Sequence, residues 1–149
     1  MTTVIVANDL VGFGKVALTS SLPIMSACQT EVLPLPTVLL SSHTGEFDNI
    51  YVRYLTVDMQ GFCGQWKRLD FRVYGLVGGY FKSEEELGLV SQCLTKKDSS
   101  FVGSYYGDNG RLYQGFDRDY VEVMKDFCQQ ADVIILTDRS CLIDGFSLS

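Results

Sequence analysis

Residues 34–45 read Pro34-Leu35-Pro36-Thr37-Val38-Leu39-Leu40-Ser41-Ser42-His43-Thr44-Gly45. An apolar stretch suited to a sheet stops abruptly at small and polar side chains and a glycine. Hydroxyls, one imidazole and open backbone amides therefore converge where a strand ends, which is the ligand-facing position of an open α/β sheet. Asn8-Asp9-Leu10-Val11-Gly12-Phe13-Gly14-Lys15 makes a second rim of this kind after the first apolar run. Two such rims point to a small-molecule site.

Outward from these rims, strands and helices alternate. Thr3 to Ala7 is a β-branched run suited to a buried strand. Lys15 to Cys28 carries Val16, Leu18, Leu22, Ile24 and Met25 as a helical apolar face, with a kink expected at Pro23. Glu31 to Leu40 reads as strand and extended chain broken by Pro34 and Pro36, and a loop from Ser41 to Phe47 follows. Asn49 to Leu69 reads as one weakly periodic helix interrupted by Gly61 and Gly64. Phe71 to Val77 is a second buried strand closing at Gly78-Gly79-Tyr80.

Ser83-Glu84-Glu85-Glu86 opens a helix to Leu94 with the pattern of a capping box, Ser83 as cap and Glu86 three residues on. A short strand near Ser100 to Ser104 leads to the glycine-rich loop Gly107-Asp108-Asn109-Gly110. Asp117 to Gln130 is a helix with Tyr120, Val121, Met124 and Phe127 on one face, and Ala131 to Leu136 is a final strand. This order predicts a single α/β domain over residues 1–149 with a mostly parallel sheet covered on both sides. Right-handed crossovers place the loops beginning near Asn8, Ser41, Gly78 and Tyr105 on one sheet edge.

Composition narrows the function classes. A chain of 149 residues, 46% hydrophobic with mean hydropathy +0.11, supports a real core. No apolar run approaches the roughly 18 residues that span a bilayer, and the N-terminus lacks a signal-peptide pattern. A soluble cytoplasmic protein with no membrane partner is expected. With 12 basic and 18 acidic residues, a net charge of −6 and pI near 4.6, the scattered lysines and arginines argue against a nucleic-acid partner. The five cysteines (Cys28, Cys63, Cys93, Cys128 and Cys141) are widely spaced, and His43 is the one histidine. A zinc site has too few ligands, and reduced thiols serving as small core residues are expected.

Each polar feature has an ordinary reading beside the functional one. Gly12-Phe13-Gly14-Lys15-Val16-Ala17 fits G-x-G-x-x-A, but the second strand ends without the acid a dinucleotide site requires, and no P-loop follows Gly14-Lys15. His43 is a catalytic imidazole or a hydrogen-bonded turn residue. Asp108 is a metal ligand or an Asx-turn residue, and Asp9 is a ligand contact or a helix cap. Tyr80 is a substrate lid or ordinary packing.

Taken together, the runs Asn8 to Lys15, Leu22-Pro23-Ile24, Leu35 to Gly45, Gly79-Tyr80, Gly107 to Tyr113 and Ala131 to Ile134 resemble the pyridoxal/pyridoxamine kinases of the ribokinase-like superfamily. The likeness implies a partial three-layer α/β/α fold corresponding to the N-terminal half of such a kinase. It also implies ATP- and Mg²⁺-dependent phosphorylation of the 5′-hydroxymethyl of a vitamin B6 pyridine. Carried over residue by residue, Asn8, His43, Thr44 and Tyr80 border the pyridine, while Asp108 and Tyr113 lie near phosphates and metal. Flat aromatic walls with a few polar groups suit such a ring.

The chain departs from that family in three places. Gly103-Ser104-Tyr105 replace the family's Asp-Pro-Val, Ile135-Leu136-Thr137 replace its Thr-Pro-Asn, and Ser149 falls about halfway through a family member. The family's anion hole and general base lie beyond that point, so no catalytic residue is assigned here and negligible kinase activity is expected of this chain alone. Two alternatives stand beside this reading: a non-catalytic B6-vitamer-binding or regulatory protein that pairs with an intact kinase, and a hydroxymethylpyrimidine kinase relative. A strand edge left uncovered implies a homodimer.

Overall fold

The computed structural model describes residues 2–44, 47–69, 72–93, 97–103, 107–108, 111–112 and 116–135. In chain order its elements are β1 (Thr2–Phe13), α1 (Leu18–Ala27), β2 (Thr30–Ser42), β3 (Val52–Tyr54), α2 (Thr56–Leu69), β4 (Val73–Gly78), α3 (Glu84–Cys93), β5 (Lys97–Gly103), β6 (Gly107–Asp108), β7 (Arg111–Leu112), α4 (Arg118–Cys128) and β8 (Val133–Ile135). Six strands pair in the order β3-β2-β1-β4-β5-β8, and β6 pairs with β7. Only β3 runs antiparallel within the large sheet. The α/β class and mostly parallel sheet expected from the sequence are therefore present.

From β1 the chain first steps to β2 on one side, then returns past β1 to β4, β5 and β8 on the other. Right-handed crossovers of opposite direction put their helices on opposite faces. Accordingly α1 packs on β1 and β2, whereas α2, α3 and α4 share one core with Ile5, Ala7, Leu35 and Leu76. In α4 the residues Tyr120, Val121, Met124, Phe127 and Cys128 are buried at helical spacing, and Asp117 caps the helix by accepting the Tyr120 N–H at 2.9 Å. No helix among the described residues is long and apolar enough to cross a membrane.

Several boundaries differ from the sequence reading. β1 does not end at Ala7 but runs to Phe13, so Asn8 lies inside a strand. Its continuation pairs with β2 as far as Phe13 opposite Ser42, a long-range ladder with no local signal. β2 retains Pro34 and Pro36 because β3 meets it only from Val38 to Leu40. Its outer edge beside the prolines needs no donor for a neighbouring strand. The proposed helix over Asn49 to Leu69 is instead the short strand β3 followed by α2. Gly107 to Gly110 begins as β6, paired with β7 as Gly107 opposite Leu112 and Asp108 opposite Arg111; Asn109 and Gly110 lie outside the described residues. Asp9 does not cap α1, whose cap residue is Ala17.

The cysteine expectation is also corrected. Cys63 of α2 and Cys93 of α3 form a disulfide with their Cα atoms 5.2 Å apart, because the two helices lie side by side in the core. Cys28 and Cys128 are free thiols. Closing a loop with a sequence separation of 30 restricts the unfolded chain, and about 3.6 kcal/mol of stabilisation follows from that length. Urea unfolding with and without dithiothreitol should show a loss of this size on reduction. Equal midpoints in the two conditions would contradict the bridge.

Candidate functional site

β1 and β4 pair from Val4 opposite Gly75 to Ala7 opposite Gly78, and then separate. Past that point β1 continues with β2 alone, through a register irregularity between Asn8 and Leu10. The chain leaving β1 turns into α1 on one face, and the chain leaving β4 turns into α3 on the other. This fork is a topological switch point, where open α/β sheets bind ligands.

Residues 79–82 form a strap across the fork. The Gly79 N–H donates to the Ala7 carbonyl at 2.8 Å, and the Tyr80 N–H donates to Asn8 Oδ1 at 2.9 Å. Thr37 Oγ1 donates to the Tyr80 carbonyl at 2.7 Å. The Phe81 carbonyl accepts the Tyr120 hydroxyl, and the Lys82 N–H donates to Glu86 Oε2 at 2.8 Å. Lys82 Nζ sits over the Tyr54 ring, 4.0 Å from its centroid, which adds a cation–π contact to β3.

Asn8 grips this strap from below. Its Oδ1 takes two backbone N–H groups, those of Asp9 and Tyr80, each at 2.9 Å. A Cβ on Gly79 would overlap the Asn8 amide group, so the close approach of strap and side chain demands glycine here. Gly79→Ala should displace the Asn8 amide and break its bond to Tyr80, costing about 2–3 kcal/mol. Thermal unfolding of G79A measures this, and an unchanged midpoint would rule out the clamp.

Tyr80 carries an aromatic ring on this strap, packed beside Phe116. Its centroid lies 5.5 Å from Phe116, which stacks on Tyr120 at 4.4 Å. Burial pushes the Tyr120 phenol far above its ordinary value, with further contributions from Tyr80 and Glu86, so it remains a neutral donor to Phe81. Beside Asn8, burial also raises the Asp9 carboxyl, opposed by the hydrogen bond from its own backbone N–H.

Glu86 is fully buried at the start of α3. Besides Lys82 N–H it accepts Thr56 Oγ1 at 2.7 Å. Ser83 Oγ accepts the Glu86 N–H at 3.4 Å, as a capping box requires, but the Glu86 carboxylate reaches back to Lys82 rather than to Ser83. Burial raises the Glu86 carboxyl above its ordinary value of 4.5, and hydrogen bonds from Lys82 and Thr56 oppose the shift. The folded chain therefore holds this proton more tightly than the unfolded one, and stability falls as pH rises through the window above 4.5. Urea unfolding between pH 4 and 7 should show a steeper decline with pH for the wild type than for Glu86→Gln. Parallel profiles would refute the assignment.

His43 and Thr44 lie where the sequence placed them, directly after β2. The His43 ring meets Phe47 edge-on at 5.0 Å, and Phe47 meets Phe13 at 5.6 Å. Gly14, with φ +113°, leaves room for His43, whose Cδ2 would be 3.1 Å from a Cβ there. Ser42 pairs with Phe13, whereas Asn8 pairs with Pro36. This register sets the His43 cluster about 16 Å beyond Asn8 along β1. Asn8 and Tyr80 are thus brought into direct contact, and His43 and Thr44 form a second group at the tip of the β1–β2 ladder. Asp108 is in β6, and Tyr113 lies outside the described residues. Among the described residues no group of three His, Cys, Asp or Glu side chains gathers to hold a metal ion. Thr37 and Glu86 were not singled out from the sequence as site residues. A hydroxyl inside the apolar run Leu35 to Leu40 was the one available hint of Thr37's role.

The sheet order, with its switch point between β1 and β4, is that of an open, mostly parallel α/β fold. No family profile matches the sequence, and no curated protein matches it. Among solved structures, a pyridoxal kinase from Lactobacillus plantarum is 34% identical with TM-score 0.88, over 100% of this chain and 55% of that one. A putative phosphomethylpyrimidine kinase from Bacteroides thetaiotaomicron, in a crystal form with pyridoxal, is 33% identical with TM-score 0.82, over 89% of this chain and 48% of that one. A pyridoxal kinase from Entamoeba histolytica shares the fold at 22% identity and TM-score 0.81, over 97% of this chain and 54% of that one. The structural neighbours of the chain are thus ribokinase-like pyridoxal and phosphomethylpyrimidine kinases, and the chain spans about half their length.

Proposed function

We propose that this chain supplies the pyridine-binding half of a vitamin B6 kinase. The reaction would transfer the γ-phosphoryl group of ATP to the 5′-hydroxymethyl of pyridoxal, pyridoxamine or pyridoxine. The observation that carries this reading is the 34% identity to the L. plantarum pyridoxal kinase along the whole chain. The fork geometry agrees with it: Tyr80 offers a flat wall for the ring. Asn8, its Oδ1 occupied by backbone donors, retains its Nδ2 hydrogens for ring substituents. His43 and Thr44, with Phe47 and Phe13, stand about 16 Å further along the β1–β2 ladder, so the ring at the fork would be held from Asn8 and Tyr80.

ATP with Mg²⁺ would supply the phosphoryl group and neutralise its charge, and Asp108 and Tyr113 are the positions assigned to that side. Phosphoryl transfer depends on positioning and charge stabilisation around the phosphates, and the 149-residue chain tested by itself is expected to bind the vitamer with negligible turnover. The same reading carries a homodimer, for which the exposed edge strand β3, with Val52 and Tyr54 at its surface, offers a pairing edge.

A second reading, a hydroxymethylpyrimidine kinase relative, is favoured by the 33% identity to the B. thetaiotaomicron protein. Calorimetry with pyridoxal, hydroxymethylpyrimidine and Mg-ATP, each titrated separately, decides between them. Pyridoxal should bind, and Tyr80→Ala should weaken it about tenfold, or about 1.4 kcal/mol. Tighter binding of the pyrimidine would transfer the assignment to the second reading. Binding of pyridoxal without nucleotide or turnover would mark a vitamer-binding or regulatory protein. Absence of binding by either ring would defeat the proposal.

A further inference from the structure

Thr37 is the one fully buried hydroxyl-bearing residue of β2, and it occupies an irregular stretch of the ladder. Asn8 pairs with Pro36 and Leu10 with Leu39, so Thr37 and Val38 together face the single residue Asp9. That is a β-bulge, a device that re-aims a side chain out of the regular pleat. Thr37 Oγ1 donates to the Tyr80 carbonyl at 2.7 Å, so the strap that leaves β4 comes across β1 to within reach of β2. Its own carbonyl accepts the Leu55 N–H at 3.0 Å, which anchors the bulge to the residue preceding α2.

The Tyr80 residue is consequently held at both of its peptide groups by side chains from two different strands. Asn8 of β1 takes its N–H and Thr37 of β2 supplies the donor to its C=O. Gly79 before it is tied to Ala7, and Phe81 after it is fully buried. With the backbone pinned in this way, the position of the Tyr80 ring follows from the grip rather than from contacts of the ring alone. A chain leaving a strand at a switch point has lost its ladder partners, and each buried backbone group needs a substitute.

We infer that Thr37 is a positioning residue: from the β2 bulge it sets the Tyr80 backbone, and through it the aromatic wall against which a planar heterocycle binds. This inference rests on the proposed pyridine site for its ligand, but not for its geometry. Valine at this position keeps the shape of the side chain and removes the hydroxyl donor to the Tyr80 carbonyl. Serine keeps the donor.

The test compares the wild type with Thr37→Val, Thr37→Ser and Thr37→Ala after incorporation of 3-fluorotyrosine, the Tyr80 fluorine resonance being assigned from its loss in Tyr80→Phe. In T37V the Tyr80 resonance should move or broaden while T37S retains the wild-type signal. Pyridoxal affinity should fall about tenfold in T37V, about 1.4 kcal/mol by the conversion of that ratio, and recover in T37S. T37A provides the same readouts if T37V does not fold. A Tyr80 resonance that is identical in the valine or alanine variant and the wild type would overturn the inference, even where stability drops, because a purely structural hydroxyl would act without moving Tyr80. If the wild type fails to bind pyridoxal, the pyridine reading falls, while the fluorine spectra still decide whether Thr37 positions Tyr80.

Discussion

The site depends on backbone hydrogen bonding where the chain leaves the sheet. Past Gly78 the polypeptide has no strand partner, yet it runs through the interior, where an unsatisfied N–H or C=O costs about 1–3 kcal/mol. Between Gly79 and Lys82 the missing partners are supplied by the Ala7 carbonyl and the Asn8 amide of β1, Thr37 of β2, Glu86 of α3 and Tyr120 of α4. A segment satisfied from four elements moves only if those elements move. Tyr80 is therefore carried on a rigid support, which is the pre-organisation that the proposed ring site calls for.

That support in turn needs the fork between β1 and β4. The two strands part after Ala7 and Gly78 because their connections run to helices on opposite faces of the sheet. The Asn8 amide fills the space that opens, which only glycine at position 79 permits. Burying the Glu86 carboxyl is the costly part of the arrangement. Desolvation outweighs its hydrogen bonds and raises its pKa, while the positive end of α3 and the donors from Thr56 and Lys82 hold it in place. The same acid lies in the first turn of α3 and ties the strap through Lys82 N–H, so one side chain joins helix placement to site geometry.

Much of this fold was legible in the chain. Apolar runs marked β1, β2, β4 and β8, and the Ser83-to-Glu86 pattern located the start of α3 because caps are local chemistry. The spacing of Tyr120, Val121, Met124 and Phe127 identified the buried face of α4. Pairing was not legible. The extension of β1 to Phe13, the separate strand β3 and the Cys63–Cys93 bridge all arise from residues far apart in sequence meeting in space. The site divided in the same way. Asn8 and Tyr80 stood out as a polar residue after an apolar run and an aromatic after two glycines, whereas Thr37 was hidden within an apolar stretch.

The sequence by itself determined the alternation of strand and helix, the class of sheet that alternation builds, and the polar and aromatic residues gathered at the strand ends, since period and capping depend on neighbours only a few residues away. The tertiary structure alone decided that Asn8 serves the backbone through its oxygen, that the strap brings the Tyr80 carbonyl to Thr37, and that the His43 cluster stands at the tip of the ladder rather than in the fork. The physical reason is register: which residues face one another across a sheet follows from how the strands slide and bulge, and no local pattern encodes that.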